Sequence, residues 1–72
     1  MSVHKMQVGS SAVIDYIQGN NDFTRRLLAL GCTEGTKITL KKIAPLGDPM
    51  VINFRGFDIA LRKQEAKFIK IK

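Results

Sequence analysis

Residues 37–61, KITLKKIAPLGDPMVINFRGFDIAL, decide the fold of this chain. On either side of the Pro-Leu-Gly-Asp-Pro interruption, apolar residues recur at every second position, which is the period of a strand that buries one face. Gly56 marks a tight turn or bulge in the second half of the stretch. The pattern predicts three short strands with the inward side chains Ile38, Leu40, Met50, Ile52, Phe54, Phe57, Ile59 and Leu61.

Residues 20–32, NNDFTRRLLALGC, change to the period of a helix. Asn20 or Asn21 can cap its N-terminus. Gly31 is suited to the left-handed turn that ends a helix, and Cys32 is placed to pack back on the last turn. The predicted helix covers about residues 22–30 and buries Phe23, Leu27 and Leu30.

Two further strands complete the pattern. Residues 11–18, SAVIDYIQ, are rich in β-branched and aromatic residues, and either face of this strand can point inward. Ile69 and Ile71 alternate with lysines in a final strand, and the preceding KQEAKF is interpreted as a 3₁₀ turn. Five short strands with one helix after the first predict an all-β fold, a small five-stranded antiparallel barrel with one short inserted α-helix. We expect one domain, residues 1–72.

The net charge of +6 arises entirely in the second half of the chain. Residues 1–36 carry three basic and three acidic residues, which cancel, whereas residues 37–72 carry nine basic and three acidic residues. Such a bias fits nucleic acid, an anionic membrane surface or an acidic protein partner, and it also occurs on small domains that are merely well solvated.

A nucleic-acid interface is not expected, because single-strand binding needs exposed aromatic rings beside the basic surface. Only Tyr16 is left as a doubtful stacking platform. The four phenylalanines all fall at plausible core positions: Phe23, Phe54, Phe57 and Phe68.

The reactive side chains form no catalytic or metal-binding pattern. His4 is the single histidine and is expected in a flexible terminus. Nothing therefore orients its ring to act as the base that would activate Cys32 as a nucleophile. The sulfur ligands lack C-x-x-C or similar spacing, and the glycines form no phosphate loop. The sequence therefore predicts no enzyme and no metal, nucleotide or cofactor site. The remaining soft ligands are Met1, Met6 and Met50, of which Met50 is expected to be a core residue of its strand.

The chain is expected to be cytosolic. Its N-terminus lacks the apolar core of a signal peptide, and no stretch approaches the roughly 20 apolar residues of a membrane span. The single Cys32 forms no internal disulfide framework.

The interruption at 45–49 has two readings. Pro45 fixes φ, Gly47 offers a positive φ, and Asp48 before Pro49 is expected to cap the turn through its own backbone. Leu46 is then either a staple of a purely structural turn or the tip of a rigid recognition surface, and the residues alone leave the two readings balanced.

Three blocks of the chain occur together in one known family: RRLLALGCTEG at 25–35, APLGDP at 44–49, and RGFDIALRKQEA at 55–66, followed by an isoleucine-rich strand. From about Thr24 to Ile71 the chain resembles the ferrous iron transport protein A (FeoA) family. Cys32 departs from the family pattern, where a bulky apolar residue is more usual. This favours a packing role and leaves redox or metal sensitivity of Cys32 open. The resemblance implies an SH3-like barrel and an accessory, non-enzymatic role in the cytoplasm.

The resemblance also implies a partner, the membrane transporter of ferrous iron, contacted at its cytosolic GTP-binding domain or nearby. This would place the protein peripheral to the inner membrane without inserting it, and with no nucleic acid bound. The direction of regulation stays open. Two alternatives remain: a relative of the SH3-like domain of metal-dependent repressors, and a basic barrel that binds RNA. The predicted partner-binding residues are Arg25, Arg26, Lys41, Lys42, Pro45, Leu46, Gly47, Asp48 and Pro49.

Overall fold

The computed structural model describes every residue from Met1 to Lys72. Five strands, two helices and one 3₁₀ turn follow one another along the chain. In chain order they are the 3₁₀ turn Val3–Lys5, β1 Ser11–Ile17, α1 Asp22–Ala29, β2 Lys37–Ile43, β3 Met50–Phe54, β4 Phe57–Leu61, α2 Lys63–Ala66 and β5 Ile69–Ile71.

The five strands form one antiparallel sheet in the order β4-β3-β2-β1-β5. Its register shifts between Leu40 and Lys42 on β2 and between Ile14 and Tyr16 on β1. Such irregularities bend a strand and increase its twist, and every strand here supplies side chains to one buried cluster. The sheet therefore wraps around its own core, and the predicted all-β barrel with one inserted helix is confirmed.

The predicted inward faces of β2 and β3 are confirmed. Their inward side chains are almost completely buried, and Leu61 of β4 joins them while Ile59 is half-buried against the core. The fully enclosed residues on the two strands are Ile38, Leu40, Met50, Ile52 and Phe54. On β1, Ile14 is buried, Tyr16 is 52% exposed and Ile17 packs against the core. The register shift between Ile14 and Tyr16 changes the inward face within the strand, so neither alternating face points inward along its whole length.

Two phenylalanines expected in the core are exposed. Phe57 is 60% exposed because it follows a two-residue turn, Arg55 and Gly56, at the end of the sheet. Its partner Phe54 already fills the core there, and the two rings lie 6.3 Å apart between centroids. Phe68 is 38% exposed because Ile69 and Ile71 of β5 point inward. Successive side chains of an extended chain point to opposite faces, so Phe68 lies on the outer face.

The inserted helix has strong signals at both ends. The Asn21 side chain accepts a hydrogen bond from Thr24 N at 3.0 Å, and Thr24 Oγ1 accepts one from Asn21 N at 2.9 Å. At the other end, Cys32 N donates to Leu27 O at 2.9 Å and Gly31, with φ of 89°, adopts the predicted left-handed conformation. This pair of features is the Schellman motif, which brings Cys32 against the last turn.

The predicted burial of the helix is partly wrong. Leu27 is fully buried and Phe23 is half-buried, but Leu30 is 45% exposed. The helix ends at Ala29, and the Schellman turn then places Cys32 over Leu27 in the core cluster. Leu30 is therefore excluded from the position that a longer helix would give it. Neither helix is long and apolar enough to cross a membrane.

Two expectations for the chain ends are also wrong. The KQEAKF segment contains a turn of α-helix, since Ala66 N donates to Arg62 O at 2.9 Å. The N-terminal residues are not loose, because Ile71 N donates to Met1 O at 2.8 Å and Val3 is completely buried. His4 thus lies in an ordered 3₁₀ turn against the rest of the fold.

Candidate partner-binding surface

The loop between β2 and β3 is tightly closed. Ala44 N donates to Pro49 O at 3.0 Å, and Gly47 N donates to Ala44 O at 2.8 Å. Gly47 has a φ of 86°, as the sequence predicts, and the Asp48–Pro49 peptide bond is cis. Leu46 stands at the tip and is 96% exposed, so the turn closes without using its side chain.

Asp48 fastens this loop to the second helix. The sequence predicted that Asp48 caps its own turn, but its Oδ1 accepts a hydrogen bond from Lys63 N at 3.0 Å. The carboxylate thereby satisfies a backbone donor of the first turn of α2, which has no partner within the helix. The loop is held at two places, at its own base and at α2, and Leu46 is presented from a fixed support.

A groove of about 390 Å³ runs beside the loop. Ile43, Val51 and the two loop prolines form its apolar lining, and Lys42 adds a cation at its edge. Lys41 is also exposed on β2. The structure therefore brings the predicted residues of β2 and the loop together: Lys41, Lys42, Pro45, Leu46, Gly47, Asp48 and Pro49.

The two predicted arginines belong to a different part of the surface. Arg25 forms an ion pair with Asp22, with Nη2 and Oδ1 2.6 Å apart, and the Arg26 guanidinium lies 5.9 Å from the centroid of the Phe23 ring. The C-terminal end of α1 lies near Arg55, which follows β3, whereas the loop precedes β3. The predicted set thus divides into a loop group and a helix group.

A second exposed apolar area, which the sequence analysis missed, lies where α1 and the β3–β4 turn meet. A Cβ on Gly31 would lie 3.8 Å from Arg55 Nη1, so the two elements are in contact there. Leu28 and Leu30 on the helix side and Phe57 on the turn side are all exposed. The positive φ of both Arg55 and Gly56 gives the two-residue turn that places Phe57 outside; a tight turn after a strand was the available signal.

The single thiol is chemically quiet. Cys32 is completely buried, and burial raises its pKa to about 11, although the Arg55 charge acts in the opposite direction. Only a thiolate is a good nucleophile or metal ligand. No group of three or more His, Cys, Asp or Glu side chains lies close enough together to hold a metal ion.

We expect Cys32 in the folded protein to react with a thiol reagent at pH 8 at least about tenfold more slowly than in the urea-unfolded chain, because both burial and the raised pKa suppress the thiolate. The absorbance of the thiolate that an aromatic disulfide reagent releases measures both rates on one preparation. An equally fast reaction in the folded state would contradict the packing role of Cys32.

The comparisons with solved structures identify the class of fold. A crystal structure of zinc-bound FeoA from Stenotrophomonas maltophilia, described as a prokaryotic SH3 domain protein, has a TM-score of 0.89 and 28% identity, covering 100% of this chain and 89% of that one. The barrel is therefore SH3-like. A manganese-dependent transcriptional repressor also matches, with a TM-score of 0.86 over 99% of this chain and 40% of that one, but at 10% identity this likeness shows the fold alone.

The family follows from the sequence. The FeoA domain family matches residues 1–72, and the chain belongs to that family. The solution structure of FeoA from Chlorobium tepidum is 31% identical, with a TM-score of 0.92 over 99% of this chain and 68% of that one. A fusion of Fe(2+) transport protein A with the Fe(2+) transporter FeoB from Porphyromonas gingivalis is 31% identical over 72 residues, and this chain spans 8% of its length.

Proposed function

We propose that this chain is an accessory protein of bacterial ferrous iron uptake, which acts in the cytosol by binding and regulating the GTPase-bearing cytosolic part of a FeoB-type transporter. The observation that carries the proposal is the fusion relative, in which a domain matching the whole of this chain is joined to FeoB. A covalent connection keeps two partners at high effective concentration. Its existence supports a working contact between the same two modules when they are separate chains.

The surface chemistry supports binding rather than catalysis. The loop that presents Leu46 is already ordered, so little conformational entropy is lost when a partner covers it. The adjoining groove offers apolar area with Lys42 at its edge, which suits an apolar anchor surrounded by acidic groups on the partner. The buried Cys32 thiol and the isolated carboxylates supply no activated nucleophile or paired acid and base.

RNA binding is the second candidate, and the exposed rings of Tyr16, Phe57 and Phe68 favour it more than the sequence analysis anticipated. Exposed rings beside basic side chains are the elements of a single-strand platform. A test of the proposed function therefore also has to measure RNA binding.

Binding of the purified protein to the isolated cytosolic domain of the cognate transporter tests the proposal. Calorimetry with and without a non-hydrolysable guanine nucleotide measures affinity, and phosphate release measures the effect on GTP hydrolysis. We expect saturable binding that survives nuclease treatment, together with a change in the hydrolysis rate. Absence of binding to the domain and to the full transporter in detergent, with retention of RNA instead, would overturn the proposal.

A further inference from the structure

A basic face lies around the N-terminal 3₁₀ turn and extends to α2, whose Lys63 N donates to Asp48 of the β2–β3 loop. The 3₁₀ turn contacts both α2 and β5, and lysines from these elements gather beside it. Lys63 and Lys67 are four residues apart and so lie on one side of α2. We name this surface the Lys5 face; its lysines are Lys5, Lys63, Lys67, Lys70 and Lys72.

No lysine of the Lys5 face forms a salt bridge with a carboxylate, although the Asp48 carboxylate accepts a hydrogen bond from Lys63 N at 3.0 Å. The single salt bridge of the protein joins Arg25 and Asp22 on α1. Glu65, the acid of α2, accepts a hydrogen bond from Arg62 N at 2.8 Å. Lys70 Nζ finds only a neutral partner, Ser2 Oγ, at 3.2 Å. The lysines are therefore free to engage an external anion.

His4 lies among these lysines, and its pKa is sensitive to their charges. Burial lowers its pKa, and the charges of Lys5, Lys67, Lys63 and Lys70 lower it further. Its Nδ1 is buried without a hydrogen-bond partner. An anion bound beside the ring would offset the lysine charges that lower this pKa.

A cavity of about 350 Å³ adjoins the same face. Met1, Met6, Ala12 and Ile71 supply the apolar part of its lining, and the polar part consists of Lys5, Gln7, Ser10, Ser11 and Lys72. Methionine side chains adapt to irregular apolar groups. Lys5 and Lys72 belong to both the cavity and the Lys5 face, so the apolar residues of the cavity adjoin the lysines at two positions.

We propose that the Lys5 face binds the phosphate headgroup of an anionic phospholipid at a membrane surface, with the cavity receiving the apolar region next to the headgroup. Free phosphate would need the lysines alone, whereas the four apolar residues in the lining of the adjoining cavity suit an anion that carries a hydrocarbon part. Lysines near an anionic membrane surface each strengthen attachment. The inference goes beyond the proposed function, and its test contains no transporter, so either can fail without the other.

Co-sedimentation with vesicles tests the proposal, using phosphatidylcholine with and without phosphatidylglycerol. We expect binding only with phosphatidylglycerol. Lys63→Gln/Lys67→Gln should weaken it about thirtyfold, since each lysine beside an anionic surface strengthens binding roughly fivefold. The matched control is Lys37→Gln/Arg55→Gln, which removes the same charge from two exposed positions that neither belong to the Lys5 face nor line the cavity; it should retain most of the binding.

The single histidine supplies a second readout, because its C2 proton gives one resonance whose titration follows the His4 pKa. Anionic vesicles or inorganic phosphate should raise this pKa relative to chloride at equal ionic strength, since a bound anion offsets the lysine charges. Equal loss of vesicle binding in both double variants would overturn the proposal, because net charge alone would then explain it. A rise of the His4 pKa with inorganic phosphate, without vesicle binding, would overturn the lipid assignment. Tighter binding of single-stranded RNA than of vesicles at the same lysines would also overturn it.

Discussion

Leu27→Ala is expected to lower the free energy of unfolding by about 2–5 kcal/mol, the range for removing a buried leucine side chain from a core that cannot collapse around the cavity. Leu27 is completely buried and is the anchor of α1 in the core cluster. It also lies under Cys32 at the Schellman turn, so its loss would loosen both the helix and the chain leaving it. For a domain of this size such a loss is a large share of the total stability.

Urea unfolding followed by circular dichroism measures this effect, and Leu30→Ala is the matched control. Leu30 lies three residues further along the same segment but is 45% exposed. Its truncation should cost no more than about 0.5 kcal/mol, as is usual at exposed positions. Similar costs for the two substitutions would mean that α1 packs on a different face from the one described.

Those two leucines also show how far periodicity predicts structure. The i, i+4, i+7 spacing of Phe23, Leu27 and Leu30 correctly indicates a helix, but it assumes that the helix continues through the third residue. The helix ends at Ala29 because the Gly31 turn satisfies its last carbonyl groups. Periodicity identifies the face of a helix, whereas the capping geometry decides which members of that face reach the core.

The alternation of apolar residues in the strands predicts burial with a similar limit. Alternation correctly assigns the buried residues of β2 and β3, because both strands have neighbours on each side and a single core to face. It fails at Phe57 on β4, an edge strand, where the turn places the first residue beyond the core. The local sequence pattern shows which face of a strand is apolar, but it does not show whether a residue lies beyond the end of the core.

For the candidate surface, the sequence predicts the closed loop, since prolines and a glycine determine a turn locally. It leaves open whether Leu46 is a staple or an exposed tip, and the structure shows the side chain exposed. The sequence does not predict the hydrogen bond between Asp48 and Lys63, which joins residues 15 positions apart. It also does not predict the separation of Arg25 and Arg26 from the loop. Both depend on how elements distant in sequence meet in the barrel.

Leu46→Ala is expected to weaken binding to the transporter's cytosolic domain by about 2 kcal/mol, roughly thirtyfold in Kd, if Leu46 enters a pocket as a central anchor residue. The same substitution should leave the free energy of unfolding within about 0.5 kcal/mol of the unsubstituted protein, because the side chain makes no contribution to the fold at 96% exposure. Calorimetric binding and thermal unfolding on the same preparation separate these two effects.

Gly47→Val provides a contrasting change in the same loop. Gly47 has a φ of 86° with open space around the position of a Cβ, so the substitution meets no neighbour but strains the backbone. A β-branched residue is disfavoured at positive φ, and we expect Gly47→Val to lose stability as well as binding. Loss of both properties is therefore the signature of a damaged loop, and loss of binding alone is the signature of a removed contact.

Leu28→Ala distinguishes the loop from the second apolar area. Leu28 is 51% exposed on α1, so its truncation removes the same number of atoms from an exposed leucine outside the loop. If the partner docks on the loop group, Leu28→Ala leaves the affinity unchanged while Leu46→Ala reduces it. The reverse result would assign docking to the surface where α1 meets the β3–β4 turn, and the loop would then serve only to connect β2 with β3.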